Sequence, residues 1–557
     1  MRKHDRLISS VLGFLRMFPS SSWRQMCRKA EDERARKGRE WAQWEYMANC
    51  VIGKLAGAAS LRTLEMLTDF AVGSEGGMLG GRRMPDSNVH DWMEKASPEA
   101  WHQRLLGMVH DLNRRKMLEP VQSVTIAGQL AHVLGFDGKV SFSESGLVED
   151  DPLELRLQRS AKTKVKMADG ATKEVEYKYT TVDVVRAVLA SAAAPVCVAL
   201  VPIKKGDEVQ AVRSLRKRVI ADIPYLTSRP LVVLGDARQG NTKFAKDMGN
   251  PYPKLSGEKA TGQFYVLKIK GNAGNIHTES MRAAQVLLDS AATCEATDDW
   301  RYEGHGRWVK RELFRLDTPV GLGLKEKEEC RLDRTDVPIL SRKDWPTVRQ
   351  ILVVRQHQRL DHPPKDGSPQ ETQELRLLIS NIKREDCSAR DLLNLVRMEW
   401  QVEVHHNVLD IVMREDEKQW ACAGNSPVAM ASLNSMAANL IMLLRNRHFR
   451  SEDNRQLSYP QLQMLILAVL AGQRAFKVLQ AQQKKALLAK LSESDLQQLP
   501  EEFTKQWSDA ELLQLMAALK LLFTYVAAAA AGIASKIRLL LEADLRSGEV
   551  TSELILL

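Results

Sequence analysis

Three carboxylates occupy positions from which side chains commonly do chemistry. Asp137 lies in the alternating run His132-Val-Leu-Gly-Phe-Asp-Gly-Lys139, which reads as a strand. Asp236 follows the apolar run Pro230-Leu-Val-Val-Leu-Gly235, at the carboxyl end where open α/β sheets place ligands and catalytic groups. Glu403 falls in a long helix begun by Ser388, with Asp391 three residues on as a capping partner. Helical periodicity puts Glu399, Glu403, Asn407 and Asp410 on one face, and Leu392, Leu395, Val402 and Leu409 on another. Two strand carboxylates and one helix carboxylate can converge on divalent cations. Magnesium prefers hard oxygen ligands. Two such ions about 3.5–4 Å apart activate an attacking oxygen and stabilise a leaving one in phosphoryl transfer. Each residue also has a plainer explanation. Asp137-Gly138 is a hairpin-turn signal, Asp236 is a cap for the following helix, and Glu403 is a solvated glutamate.

The elements that must hold these groups can be traced along the chain. At 557 residues the protein is long enough for three or four units, and 44% hydrophobic with 27% charged residues is a globular composition. Basic residues exceed acidic ones by 80 − 70 = 10, which favours a polyanionic partner. The seven cysteines contain no CxxC pair, so neither a zinc knuckle nor a disulfide framework is indicated, and a reducing cytosol is expected. No signal peptide is evident, and the longest apolar run, Leu521 to Ala534, is too short to span a bilayer and reads as a buried Ala-rich helix.

The first 40 residues form a basic arm, and 41–72 show helical periodicity. After a glycine-rich break, Ser87 and Ser97 are expected N-caps for two further helices across 87–116. Strands are expected at His132–Phe142, Glu174–Tyr179, Pro195–Pro202, Pro230–Leu234 and Gln263–Ile269, with helices at Glu208–Ile220 and Asn241–Met248. That succession predicts an α/β sheet of mixed direction, flanked by helices. Residues 250–385 read as irregular and charged with a β-like run at Arg349–Val354, and the chain after Ser388 as helical.

Several blocks resemble the DDE transposases of bacterial insertion sequences, in the H-repeat-associated (ISAs-type) family. They are Phe136-Asp137-Gly138-Lys139, then Val232-Val-Leu-Gly-Asp236-Ala237, and Tyr265-Val-Leu-Lys-Ile-Lys-Gly-Asn272. Gly304-His305-Gly306-Arg307 with Arg311 and Asp344-Trp345-Pro346 come next. The most specific block is Trp400-Gln-Val-Glu403 with Val408-Leu-Asp410, Arg414-Glu-Asp416, Gly424-Asn425 and Asn439-Leu440. The resemblance covers roughly residues 130–446 and implies an α/β catalytic core of RNase H-like type. A β-rich insertion at about 250–385 would fall in the 403 − 236 = 167 residues between the second and third acids. It divides the chain into a helical N-terminal region, 1–125, with possible DNA binding, a catalytic domain, 126–450, and a helical C-terminal region, 451–557; both terminal regions are read as all-α.

The implied chemistry is hydrolysis of a phosphodiester at the element end, followed by attack of the freed 3′-hydroxyl on target DNA. Asp137, Asp236 and Glu403 would hold two magnesium ions, with manganese as a substitute. Lys139, Lys270, His305, Arg307 and Arg311 are candidate DNA contacts. The partner implied is double-stranded DNA, at element ends and target, engaged by a homodimer or higher assembly without a membrane. The location implied is the cytoplasm of a bacterium, at the nucleoid. Where the family has Asn after the glutamate and Leu-His-Trp beyond, this chain has Val404 and His405-His406-Asn407, and Val309 replaces a glutamate. Arg238-Gln239-Gly240 also departs. These changes motivate two alternatives: a domesticated, non-catalytic DNA-binding protein, or a related nuclease that cuts without joining. His405-His406 is not expected to be a metal pair, because adjacent helical residues diverge. Gly235 to Thr242 is P-loop-like but has Asn241 in place of the lysine, which argues against an ATPase.

Overall fold

The structure is a computed structural model describing residues 41–69, 83–121, 124–145, 154–166, 172–249, 263–271, 275–289, 293–303, 306–325, 345–362, 368–415, 419–449 and 452–467, with isolated positions between 10 and 32. Four helices come first: α1 (Gln43–Leu55), α2 (Leu61–Asp69), α3 (Asp86–Lys95) and α4 (Pro98–Arg114). Ser97 caps α4 as expected, its hydroxyl accepting from the Ala100 N–H at 3.2 Å. Ser87 does not cap α3, because Pro85 occupies the N-cap position and places Ser87 inside the helix.

The short strands β1 (Thr125–Ile126) and β2 (Gln129–Leu130) form a separate pair before the main sheet. That sheet begins with β3 (His132–Ser145), β4 (Arg156–Lys166), β5 (Thr172–Leu189) and β6 (Val196–Pro202). Helix α5 (Glu208–Asp222) leads to β7 (Leu231–Gly235), and α6 (Thr242–Gly249) leads to β8 (Gln263–Ile269). Strands β3, β6, β7 and β8 occur where the apolar alternation indicated, whereas β4 was not expected and β5 runs well beyond the expected Glu174–Tyr179; β3 also runs straight through Asp137-Gly138. The hairpin-turn reading of that dipeptide is therefore overturned: its partner strand β5 continues the ladder on both sides.

Helix α7 (Asn275–Asp289) precedes β9 (Ala296–Thr297), β10 (Arg301–Tyr302), β11 (Arg307–Asp317), β12 (Gln350–Leu360) and β13 (Glu371–Ser380). Much of 250–385, expected to be irregular, is thus an antiparallel meander of long strands. Its charged residues hid the alternation, because in β11 they stand on both faces and are satisfied by partners remote in sequence. The meander joins the sheet through β13, which pairs antiparallel with β8. Among the described residues the sheet has 11 strands, ordered β10-β11-β12-β13-β8-β7-β3-β5-β4, with β6 also on β5 and β9 on β11. Strands β3, β7 and β8 are mutually parallel, and β5 is antiparallel to β3. The result is a mixed sheet flanked by helices.

The chain then forms α8 (Ala389–Met398), α9 (Trp400–Ile411) and α10 (Ser426–Leu443). The single long helix expected from Ser388 is broken at Glu399, which separates α8 from α9. Ser388 does cap α8, accepting from the Asp391 N–H at 3.0 Å. Helix α10 is buried around its whole circumference and mostly apolar, as a helix surrounded by protein must be. The segment Ser426–His448 is long and apolar enough to cross a membrane, but its apolar stretch is fully buried inside the protein. It packs against α1, α3 and α4 on one side and β3, β5 and β6 on the other, so it joins the first helices to the sheet. Of the expected C-terminal helical region, only 452–467 is described; Leu521 to Ala534 lies outside the described residues.

A buried ion pair crosses this interface. Arg186 of β5 meets Glu415, just after α9, at 2.5 Å with both side chains fully buried. Its guanidinium also donates to Ser435 of α10 at 2.9 Å. Removing one partner of a buried pair strands a charge, whereas replacing both with apolar groups is often close to neutral. Arg186→Met should therefore lower unfolding free energy by about 3–5 kcal/mol in denaturant titration, and Arg186→Met/Glu415→Leu should recover most of that loss.

At the start of β3, His132 is 4% exposed, and burial followed by the Arg229 charge lowers its pKa to about 4. The unfolded chain then binds more protons between about pH 4 and 6.5, so stability is complete above 6.5 and falls as pH drops through that window. The loss attributable to this residue is roughly 3 kcal/mol by pH 4, and His132→Gln should flatten that limb of the stability profile.

Candidate active site

Sheet register brings the two aspartates together. Strands β3 and β7 pair in parallel with His132 beside Leu231 and Gly135 beside Leu234, an offset of 99 residues. Asp137 and Asp236 are separated by the same 99 residues, two steps beyond the last paired residues, and the two are near enough for the charge of Asp236 to act on Asp137. Because side chains alternate across a sheet, Val133, Gly135 and Asp137 share a face with Val232, Leu234 and Asp236. Strand β8 adds Phe264 and Val266 in register with Val232 and Leu234, and its next residue on that face is Lys268. This face is apolar under α8 and turns charged in one row: Asp137, Asp236, Lys268.

Helix α9 lies over that row in phase with β3. Four residues of helix advance about 6 Å and two residues of strand about 6.6 Å, so an i, i+4 stripe tracks an i, i+2 stripe. Val402 packs so closely on Gly135 that any Cβ there would strike its methyl group. One step along, His406 Nδ1 is 3.5 Å from Asp137 Oδ2. One step further, Lys139 Nζ meets Asp410 Oδ1 at 2.5 Å. The preceding helix is tied to the meander: Arg390 donates to the Thr297 carbonyl, and Arg397 pairs with Asp298 and Glu303.

The acids form a group larger than three. Glu208, the first residue of α5, packs on Gly138 and accepts from Arg238 at 2.5 Å. Burial, then the like charges of Asp236 and Glu208, push the Asp137 carboxyl up to about 7, with Glu403 adding to the effect. Glu399 is also raised by burial, against the attraction of Lys268 and Arg376, with Glu403 and Asp236 as like-charged neighbours. Glu403 is exposed at its surface, yet protein around its carboxyl raises it too, while Arg376, Lys268 and Arg307 pull it down. Asp236 Oδ1 accepts from the N–H groups of Arg238 and Gln239 at 2.9 and 3.3 Å. It caps that turn, but the cap of α6 is Asn241, which accepts from Phe244 N–H at 2.9 Å. His406 stays neutral, since burial and then the charge of Arg186 hold its pKa well below the ordinary value. His405 bonds to Asn439 at 3.2 Å rather than joining its neighbour.

The donor types suit a divalent cation: hard carboxylate oxygens from a strand, the turn after a second strand and a helix, with burial and then the like charges of Asp236 and Glu208 raising Asp137. Among the described residues, the group of three with ligand atoms all within 4.8 Å is instead His90, Asp91 and Glu94. Those lie along a surface turn of α3, where Asp91 is paired with Lys95 at 2.9 Å.

The expected DNA contacts divide. Lys139 is paired with Asp410, and Arg311 is 3% exposed, with its guanidinium bound to Glu303 at 2.6 and 2.9 Å and to Gln356. Both are committed inside the protein in this conformation. Lys270 is exposed just past β8, on the same face as Lys268. Arg307 sits over the Trp400 ring, 5.6 Å from its centroid. His305 lies outside the described residues. Sequence reasoning missed Glu208, Arg238, Lys268 and Arg376. Lys268 alone carried a signal, as the polar end of the Phe264, Val266, Lys268 alternation; an acid at a helix start is too common to stand out.

Gly135→Ala should cost about 1–3 kcal/mol by overpacking against the stiff Val402 side chain. Adding Val402→Ala should return most of that stability in thermal or denaturant unfolding, because it removes the colliding methyls.

No protein-family model and no curated protein matches the chain. Among solved structures it is similar to a piggyBac transposase synaptic complex with hairpin DNA, at 10% sequence identity and a TM-score of 0.37, over 90% of this chain and 87% of that one. What the chain does must therefore follow from its own side chains.

Proposed function

We propose that the protein is a DNA transposase of the DDE type, cutting and joining phosphodiesters with metal held by Asp137, Asp236 and Glu403. The observation supporting this reading is that Asp137 in β3 and Asp236 just after the adjacent parallel strand β7 keep the strands' own offset, with the charges of Asp236 and Glu403 both acting on Asp137. The order β6-β5-β3-β7-β8, with β3, β7 and β8 parallel, supports an RNase H-like core, and the meander would be its β-rich insertion. Two magnesium ions, once bound, would supply activation of the attacking oxygen and stabilisation of the leaving one. Asp137 and Asp236 would hold them from the sheet, and Glu403 from α9, with Glu208 and Glu399 adding negative charge. Gly135 lets α9 approach β3, and the ion pairs of α8 fix the angle of that approach. Double-stranded DNA is the proposed substrate, an assembly of two or more copies the proposed working form, and the bacterial cytoplasm the proposed location.

The cations around Glu403 favour a second reading, a DNA-binding protein that no longer cuts. Arg376, Lys268 and Arg307 are its leading charged neighbours apart from Glu303, so it is partly neutralised without metal.

Purified protein with magnesium should nick or join DNA carrying its element ends. Asp236→Asn should reduce the rate by at least about a thousandfold while leaving DNA affinity within twofold. Equal cleavage by that variant would remove Asp236 from the chemistry, and DNA binding without cleavage in magnesium or manganese would favour the second reading.

A further inference from the structure

Strand β7 stops before its ladder with β3 is complete. Their pairing ends at Gly135 beside Leu234. In a parallel ladder the next bond would run from the Asp236 N–H to the Phe136 carbonyl. The chain turns away there, and the side chain of Gln239 takes the place of that N–H, its Nε2 donating to the Phe136 carbonyl at 3.2 Å. The direction of the amide follows from its chemistry, since a carbonyl oxygen can only accept. Gln239 is 0% exposed, so this bond lies wholly inside the protein.

The same residue closes the turn that carries Asp236. The Gln239 N–H donates to the Asp236 carbonyl at 3.1 Å and to its Oδ1 at 3.3 Å, beside the Arg238 N–H at 2.9 Å. Gln239 therefore holds both acid-bearing segments, Asp236 by its backbone and the residue before Asp137 by its side chain. Two glycines make the space. A Cβ on Gly235 would strike Gln239 Oε1, and one on Gly240 would strike the Lys268 carbonyl. The turn thus spans the end of β7 and rests on both neighbouring strands. The link is kept against a cost, because among the described residues Gln239 Oε1 is buried without a hydrogen-bond partner.

We propose that Gln239 is a positioning residue, which holds Asp236 at a set distance from Asp137 and thereby fixes the grip of both on a divalent cation. This rests on the reading of those carboxylates as a cation site. The amide bonds the strand rather than the carboxylates, so it acts through them. Groups that orient metal-binding side chains from behind change cation affinity by roughly tenfold to a hundredfold when they are removed.

The test reads manganese binding by the full-length protein without DNA, from the electron paramagnetic resonance of the unbound ion. The sites in question are those that Asp236→Asn removes, which separates them from the surface group His90, Asp91 and Glu94. Gln239→Met keeps a similar volume but has no donor, and Gln239→Asn keeps the amide on a stem too short to reach Phe136. Each should weaken manganese at those sites by roughly tenfold to a hundredfold, at a temperature where circular dichroism shows the protein folded. Should Gln239→Met not fold, Gln239→Asn carries the same measurement. A purely structural role would lower the melting temperature and leave the affinity of the folded protein unchanged, and that result overturns the proposal. So does an equal loss at the surface group, which would mark general damage. If Asp236→Asn removes a manganese site while both Gln239 variants bind as the native protein does, the positioning role fails and the cation site stands. If Asp236→Asn removes no manganese site, the cation site itself falls, and the positioning role with it.

Discussion

The contact between Arg186 and Glu415 joins the three layers on which the site depends. Arg186 stands on β5 directly beside Asp137 in the sheet register, while Glu415 follows the helix that carries Glu403. Ser435, on the buried helix α10, accepts from the same guanidinium. A fully buried pair of charges is tolerated only with good geometry and further hydrogen bonds, so each element has little freedom to slide past the others. The far end of the helical segment is held as firmly, by Arg390 and Arg397 against the meander. Anchored at both ends, α9 keeps a fixed height over β3.

The closeness of that approach follows from two simple lengths. A helical stripe and a strand stripe have nearly equal repeats, so Val402, His406 and Asp410 can each meet successive residues on one face of β3. Glycine at position 135 removes the side chain that would hold the helix away. With the helix down, carboxylates from different elements share a region poor in water, and their repulsion appears in the raised Asp137. The fold is therefore keeping together groups that would separate in solution, and a bound cation would lower that cost.

The strands around Asp137 and Asp236 were legible because a half-buried or buried strand imposes its period on the sequence. Helix α8 and its serine cap were legible for the same local reason. The strands of the meander were largely not: β11 runs Arg307-Trp-Val-Lys-Arg-Glu-Leu-Phe-Arg-Leu-Asp317, with charges crowding both of its faces. Those charges are paired across strands and with α8, as in the bonds of Arg311 to Glu303 and Arg315 to Glu295, which no local pattern announces. The break at Glu399 was likewise invisible, since the residues on either side are good helix formers.

By itself the sequence determined which residues could be strand ends, which helix could carry an acid, and that both aspartates follow apolar runs. Those are local matters of period, capping and charge, set by neighbours a few residues away. The tertiary structure alone decided that the offset of β3 and β7 equals the separation of the aspartates, since register depends on packing against both sheet faces. It also brought in Glu208 and Lys268, and tied up Lys139 and Arg311 in internal pairs. Charge interactions fall off with distance in space, not along the chain, so partners remote in sequence become visible only when the chain is folded.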